Sequence, residues 1–323
     1  MSNETYRYGF RILGPCSGER RLVDAAAFGG YAQCDPRAEI HREAYLSAFQ
    51  FGGEFAEQLR RTGTTKGYSG TCWTAWLWFD IDRDSDLPRA LDDTRRLVVR
   101  LTGHYGMTPE SLLVFFSGAK GFHVGIPSAL WTPEPGTDFH TVARRMCEAI
   151  ADSAGVVIDS AVYDRVRAFR APNSLHPRTG LHKRHIDADA VLALSASAVL
   201  DMARLPEPFE MPAPDAGTFS FALAGEWEAA RNQVSANSER TKQRRNTPDG
   251  AQRLNRATLE FIRDGAANGE RHIRLYSAAA NLREFNCPVA LAHALLTESA
   301  LDSGMTPTEV RRQIECGLNG GAA

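Results

Sequence analysis

The chain has 323 residues, of which 43% are hydrophobic and 24% charged, and its 37 basic and 39 acidic side chains give a net charge of −2. At ~150 residues per domain this length suggests roughly two domains, and the composition excludes a disordered tail, a collagen-like fibre and a small stapled scaffold. A chain this neutral cannot hold nucleic acid by bulk charge, so any such binding must come from a local patch.

No apolar run approaches the ~20 residues needed to cross a bilayer. The N-terminal MSNETYRYGF lacks the basic-then-apolar order of a secretory signal. A cytoplasmic protein with no membrane partner is therefore expected. Cys16, Cys34, Cys72, Cys147, Cys287 and Cys316 are scattered, with no C-x-x-C. That favours reduced thiols over a thiolate zinc site or a disulfide framework.

In chain order, residues 36–61 read as a helix interrupted at Gly52-Gly53. TAWLWFDID at 74–82 reads as a strand, and 88–101 as a helix with apolar groups at 91, 94, 97, 98 and 101. SLLVFFS at 111–117 and GFHVGIP at 121–127 are strands, 139–150 is a helix, and VVID at 156–159 is a short strand. Val162, Val166 and Phe169 suggest a further short helix. This interleaving gives an α/β or α+β core. Pro206, Pro208, Pro212 and Pro214 then forbid a continuous helix or central strand across 204–225, which reads as a linker or wrapping strap.

The stretch 238–256, SERTKQRRNTPDGAQRLNR, carries six basic and two acidic residues. It is either a solvated face or a phosphate-contacting strip, with Arg240, Lys242, Arg244 and Arg245 at its centre. Four helices follow. The last opens with Thr306-Pro307-Thr308-Glu309, a capping box with proline at the first helical position. The expected organisation is a core over 1–205, a proline-rich then basic linker over 206–250, and a helical bundle over 251–323.

Three places carry chemistry. In the strand 76–82, alternation sends Leu77, Phe79 and Ile81 to one face and Asp80 and Asp82 to the other. Two carboxylates held that close suit a bound Mg²⁺ or Mn²⁺. They equally suit an acidic strand end, since Asp84 and Asp86 follow. Next, Ser117-Gly118-Ala119-Lys120-Gly121-Phe122-His123 joins two strands. Its glycines would let amides approach phosphate oxygens, with Lys120 adding a cation; a tight hairpin with one satisfied histidine is the plainer alternative. Third, Asp159 ends an apolar segment, and Arg170-Ala171-Pro172-Asn173-Ser174-Leu175-His176-Pro177 follows within a basic turn. That turn is either a triphosphate clamp or a solvated loop.

Taken in order, Asp-x-Asp, S-G-x-x-G-x-H, a lone Asp and R-x-P-x-S-L-H-P-x-T-G resemble the archaeo-eukaryotic primase superfamily of primases and primase-polymerases. The resemblance spans roughly residues 70–185. It implies a catalytic core with an RRM-like sheet, fused to an α-helical domain. It also implies nucleotidyl transfer on a single-stranded DNA template, in which a 3′-hydroxyl attacks the α-phosphate of an NTP or dNTP. By the same resemblance, Asp80, Asp82 and Asp159 are the catalytic ligands of two divalent ions, Mg²⁺ or Mn²⁺. Ser117, Gly118, Lys120, His123, Arg170, Ser174 and His176 hold the nucleotide.

Members often carry a second basic residue beside the Lys120 position, where this chain has Ala119. Many also bear a zinc site; nothing here has its spacing, although His176, His182 and His185 lie close in sequence. Asn268-Gly269-Glu270-Arg271-His272 and the helices after it look like the helical domain found behind such cores in plasmid and phage primases. Without a G-x-x-x-x-G-K-[ST] motif, any replicative helicase partner is a separate chain. Two alternatives share these residues: a catalytically silent replication initiator or single-stranded-DNA-binding module, and a two-metal nuclease.

Overall fold

The computed structural model describes residues 6–84, 86–212, 219–246, 254–267 and 269–320, with the side chains of 241–246 outside that description. Two compact units divide the chain, Met1–Arg240 and Thr241–Ala323.

The first unit is built on two antiparallel sheets. One contains β1 (Tyr8–Leu13), β2 (Arg21–Asp24), β3 (Ala44–Ser47), β4 (Gln50–Phe51), β5 (Cys72–Trp73) and β9 (Ala168–Arg170), in the order β5-β4-β1-β3-β9 with β2 also paired to β1. The other contains β6 (Trp76–Asp82), β7 (Leu113–Phe116), β8 (Gly121–Pro127) and β10 (Arg184–Ile186), in the order β10-β7-β8-β6. Helices α1 (Ala27–Ala32), α2 (Gly53–Thr62), α3 (Leu87–Tyr105), α4 (Phe139–Ser153), α5 (Ala188–Val191) and α6 (Ala196–Met202) complete the framework. The second sheet and its helices follow a β-α-β-β-α-β chain order, interrupted by β9. The final strand lies beside the second rather than the first.

The alternation in β6 determines what this sheet buries. Leu77, Phe79 and Ile81 are at most 1% exposed and share a core with Leu91, Leu97 and Leu101 of α3 and Val142, Met146 and Ile150 of α4. The Asp86 side chain accepts from the Arg89 amide to start α3, and Gly106 ends it in the left-handed region at φ 65°. On the other face, Trp78 joins the two sheets, with its ring 6.1 Å from Phe28 and 5.5 Å from Phe169.

Three expected elements are different. Residues 36–61 form one 3-10 turn at Pro36–Ala38, the strands β3 and β4, and only then the helix α2. Apolar groups at 44, 48, 51 and 55 fit a helical spacing, but pairing with β1, β5 and β9 overrides it. Residues 156–159 form no strand; Val156 is buried in the core shared with β6, and the Asp159 amide donates to the Asp80 carbonyl at 2.8 Å. In place of the short helix through Val166, a 3-10 turn at Ser160–Tyr163 leads into β9.

The proline-rich stretch is a packed strap as far as residue 212. The Phe209 amide donates to the Ala32 carbonyl, and the Asn173 side chain both donates to the Glu207 carbonyl and accepts from its amide. The Phe209 ring stacks on His185 at 4.5 Å. Prolines exclude helix and ladder, not an extended run along a surface. The helix α7 (Phe221–Asn246) then buries Leu223, Trp227 and Ala230 on the same core, with Trp227 4.9 Å from Phe139. Part of the segment expected as linker therefore belongs to the first unit. Residues 247–253 of the basic stretch lie outside the described residues.

The second unit holds α8 (Arg256–Asp264), α9 (Arg271–Glu284), α10 (Val289–Asp302) and α11 (Pro307–Leu318). Phe261, Leu275, Leu282, Leu296, Val310 and Ile314 form its core, and the Thr306–Glu309 capping box is present at α11. The fold is thus an α+β core followed by a helical bundle. Among the described residues, no helix is long and apolar enough to cross a membrane.

Candidate active site

The register of the second sheet places the acidic pair opposite the glycine-framed turn. Asp80 faces His123, Asp82 faces Gly121, and Phe115 of β7 lies on the far side of His123. Only a glycine fits at 121, because a Cβ there would stand 2.1 Å from the Ile81 carbonyl oxygen and 2.4 Å from Asp82 Oδ1. The turn closes through the Ser117 amide on the Gly121 carbonyl, while Ser117 Oγ accepts from the Gly121 amide. Gly118 sits at φ +88°, against the backbone of the basic turn.

Asp80 is 14% exposed, and its Oδ1 is buried without a hydrogen-bond partner among the described residues. His123 Nε2 lies 3.5 Å from that oxygen, too long for a good hydrogen bond. Burial, then the charges of Asp82 and Asp159, push the Asp80 pKa up to about 7. His123 is pushed the other way, well below the usual histidine range, by burial and by Lys183 and Arg170. A buried carboxylate with an unsatisfied oxygen, beside a neutral imidazole and two further carboxylates, is a site that a cation would relieve.

At the strand end, Lys120 Nζ lies 3.3 Å from Asp82 Oδ2 and 2.9 Å from Asp84 Oδ1. The Asp159 side chain accepts from the Ala161 amide, which fixes one of its oxygens. Among the described residues, no three His, Cys, Asp or Glu side chains are gathered closely enough to enclose a metal ion. The fit to a cation rests on Asp80 and Asp82, with Asp159 attached through its backbone.

The basic turn comes to the same place. Arg170 follows Phe169, whose ring lies 4.2 Å from that of His123; it donates to the Tyr45 hydroxyl and lies over its ring at 4.9 Å. His176 is 7% exposed, with Nδ1 unpartnered among the described residues, and its pKa is lowered to about 4 by burial and by Arg170 and Arg178. Thr179 donates to the Gly118 carbonyl at 2.6 Å, tying this turn to the glycine-framed one. Ser174 is different: it is wholly buried, and its hydroxyl donates to the Ala171 carbonyl at 2.7 Å. It frames the turn rather than facing the cleft. Of the basic strip, Arg240, Lys242, Arg244 and Arg245 fall on the last turns of α7.

Lys183 was not anticipated. It is fully buried, donates to the Arg170 carbonyl at 2.9 Å, and stands over the rings of Trp78, Phe115 and Phe169 at 4.3–5.3 Å. Burial drives its pKa well down, while the nearby Asp80 raises it. Arg83 was also missed. Its guanidinium donates to the Asp82 and Val157 carbonyls.

Residues 79–188 match the family model described as DNA primase small subunit. No curated protein matches the chain. Among solved structures, one titled "Crystal structure of primase RepB'" aligns over 98% of this chain and 89% of its own, at 11% identity and a TM-score of 0.36.

Proposed function

Residues 79–188 belong to the primase superfamily, and on that premise we propose that the chain is a DNA-templated nucleotidyltransferase that synthesises primers and extends them on single-stranded DNA. The observation that carries this reading is the unsatisfied Asp80 Oδ1, buried beside Asp82 in the sheet that also presents His123 and the Lys120 turn.

Asp80, Asp82 and Asp159 would hold Mg²⁺ or Mn²⁺. Such ions, when bound, lower the pKa of an attacking hydroxyl and neutralise the attacking and leaving oxygens. The protein's own groups divide the rest of the work. Lys120, on the turn beside Asp82, would reach the nucleotide's phosphates. Arg170, oriented by Tyr45, adds a planar pair of donors suited to phosphate. Neutral His123 and His176 each offer a hydrogen bond without bringing a charge into a buried site. The Ser117 and Gly121 amides are spent on closing the turn, so a phosphate oxygen would be met by the backbone between them, which Gly118 leaves without a side chain. The incoming NTP or dNTP would thus lie across the second sheet with its triphosphate toward Lys120 and Arg170. Arg240, Lys242, Arg244 and Arg245 would contact template phosphates, independently of sequence.

One gel tests this reading. Full-length protein is incubated with single-stranded template and labelled NTPs or dNTPs, with Mg²⁺ or Mn²⁺, with and without an annealed primer. Metal-dependent extension and de novo products are expected. Template binding with no incorporation under any condition would point to a silent replication initiator, and degradation of labelled DNA without nucleotides to a nuclease.

A further inference from the structure

We infer that Arg83 is the positioning residue that fixes the Asp159 segment against β6, and so sets the spacing of the carboxylates; this rests on the cation-binding reading above.

Arg83 follows directly after Asp82 and reads in sequence as one cation in an acidic run, R-D-S-D. The structure gives it another place. Its Nη1 donates to the Asp82 carbonyl at 2.7 Å and its Nη2 to the Val157 carbonyl at 3.0 Å. Its amide donates to the Lys120 carbonyl at 3.2 Å. One residue therefore touches the end of the Asp-x-Asp strand, the lysine of the phosphate-facing turn, and the segment that delivers Asp159.

The guanidinium is held in turn. It forms an ion pair with Asp93 of α3, whose side chain is 2% exposed and also pairs with Arg96. A buried carboxylate is costly unless paired and hydrogen-bonded. Asp93 is shared between Arg83 and Arg96, one on each carboxylate oxygen, and its hold on Arg83 aims that guanidinium's donors at carbonyls 75 residues apart in the chain.

The Asp159 segment forms no strand. Val156 is buried in the core and its amide donates to the Ala151 carbonyl, Val157 is 71% exposed, and the Asp159 amide donates to the Asp80 carbonyl of β6. That contact and the Arg83 bridge are two fixed points flanking Ile158. Together they hold the backbone of Asp159 against that of Asp80. Residues that orient metal-binding groups in this way typically change metal affinity about 10- to 100-fold when replaced.

The test is Mn²⁺ binding to the full-length protein without nucleotide, read by electron paramagnetic resonance of free Mn²⁺. The proteins are wild type, Arg83→Lys, Arg83→Met and Asp82→Ala. Lysine keeps the charge opposite Asp93 but cannot bridge two carbonyls, so it keeps the fold testable if Met does not. We expect Mn²⁺ affinity about 10- to 100-fold weaker in Arg83→Lys, an unchanged unfolding midpoint in chelator, and a nucleotide KM within about twofold at saturating Mn²⁺. Wild-type Mn²⁺ affinity in Arg83→Lys, with binding lost in Asp82→Ala, overturns the positioning role alone. Wild-type affinity in Asp82→Ala as well overturns the cation reading and this inference with it. An equal loss of nucleotide and Mn²⁺ affinity would make Arg83 a general structural residue, and also overturns the inference.

Discussion

Asp80 and His123 are directly opposed across β6 and β8, and each carries a buried side-chain atom that the other does not satisfy. Cross-strand neighbours of this kind normally pair. Here burial and like charges keep the carboxyl partly protonated near neutrality, while burial and Lys183 and Arg170 keep the imidazole neutral. Neither side chain satisfies the other, and a cation at Asp80 would supply the missing partner.

The first prediction concerns Asp82. Asp82→Ala should remove primer extension and leave the fold intact, because the side chain is at the strand end and its ion-pair partner Lys120 keeps Asp84. A cation supplies several kcal/mol of transition-state stabilisation, so activity should fall by at least about 10³-fold. Circular dichroism and a primer-extension gel check both halves. Wild-type extension by a folded mutant would remove Asp82 from the chemistry.

The second concerns pH. Asp80 is raised from a value near 3.8 to about 7, so the folded protein binds a proton that the unfolded chain has lost. That contribution to stability is fully present below about pH 4 and is lost as pH rises through about 7. In chelator, the wild-type melting temperature should therefore fall from pH 5 to pH 8. Asp80→Asn removes the buried charge and should flatten that slope, stabilising the protein at pH 8 by about 1–4 kcal/mol while abolishing extension. Melting curves at the two pH values decide it; a mutant less stable than wild type at pH 8 contradicts the assignment.

The third separates the two basic-turn residues. Arg170 is charged, so Arg170→Ala should weaken nucleotide binding by roughly 10- to 150-fold, equivalent to about 1.5–3 kcal/mol. His176 is neutral at pH 7.5 because its pKa is held to about 4, so His176→Ala loses a neutral hydrogen bond and should cost only about 2- to 10-fold. A bound triphosphate adds negative charge and raises the His176 pKa, so nucleotide affinity should increase as pH falls toward 5 in wild type and less so in the mutant. KM against pH for both variants reads this directly.

The fourth concerns where the core ends. A fragment of residues 1–205 loses Phe209 from His185 and Trp227 from Phe139. Deleting a buried tryptophan alone typically costs about 3–5 kcal/mol, so this fragment should be aggregated or molten. Residues 1–240 should instead be soluble and extend an annealed primer. A well-folded, active 1–205 fragment would show that the strap and α7 are dispensable.

The acidic pair was legible because a strand has a strict two-residue period: once Leu77, Phe79 and Ile81 are buried, Asp80 and Asp82 must share the other face. The glycine-framed turn was legible because its glycines are required by close approach. The first sheet was not. Its strands at 44–47 and 50–51 are too short to show a period, and partners far away in sequence make them strands. Lys183 was hidden because a lysine between His182 and Arg184 looks like a surface group; only the three rings around it and the Arg170 carbonyl reveal a buried one. Arg83 was hidden by its acidic neighbours, since its partners are backbone carbonyls that a sequence does not display.

The late packing of α7 bears on how the chain is made. The last strand of the second sheet ends at Ile186, but the apolar surface around Phe139 and Trp131 is not covered until Trp227 and Ala230 have been synthesised. At roughly 5–20 residues per second, those further ~44 residues leave that surface bare for roughly 2–9 s on every ribosome. During that interval the nascent core is a substrate for chaperones and a target for premature association, so slow codons between 187 and 230 would lower the yield of native protein while altering no residue.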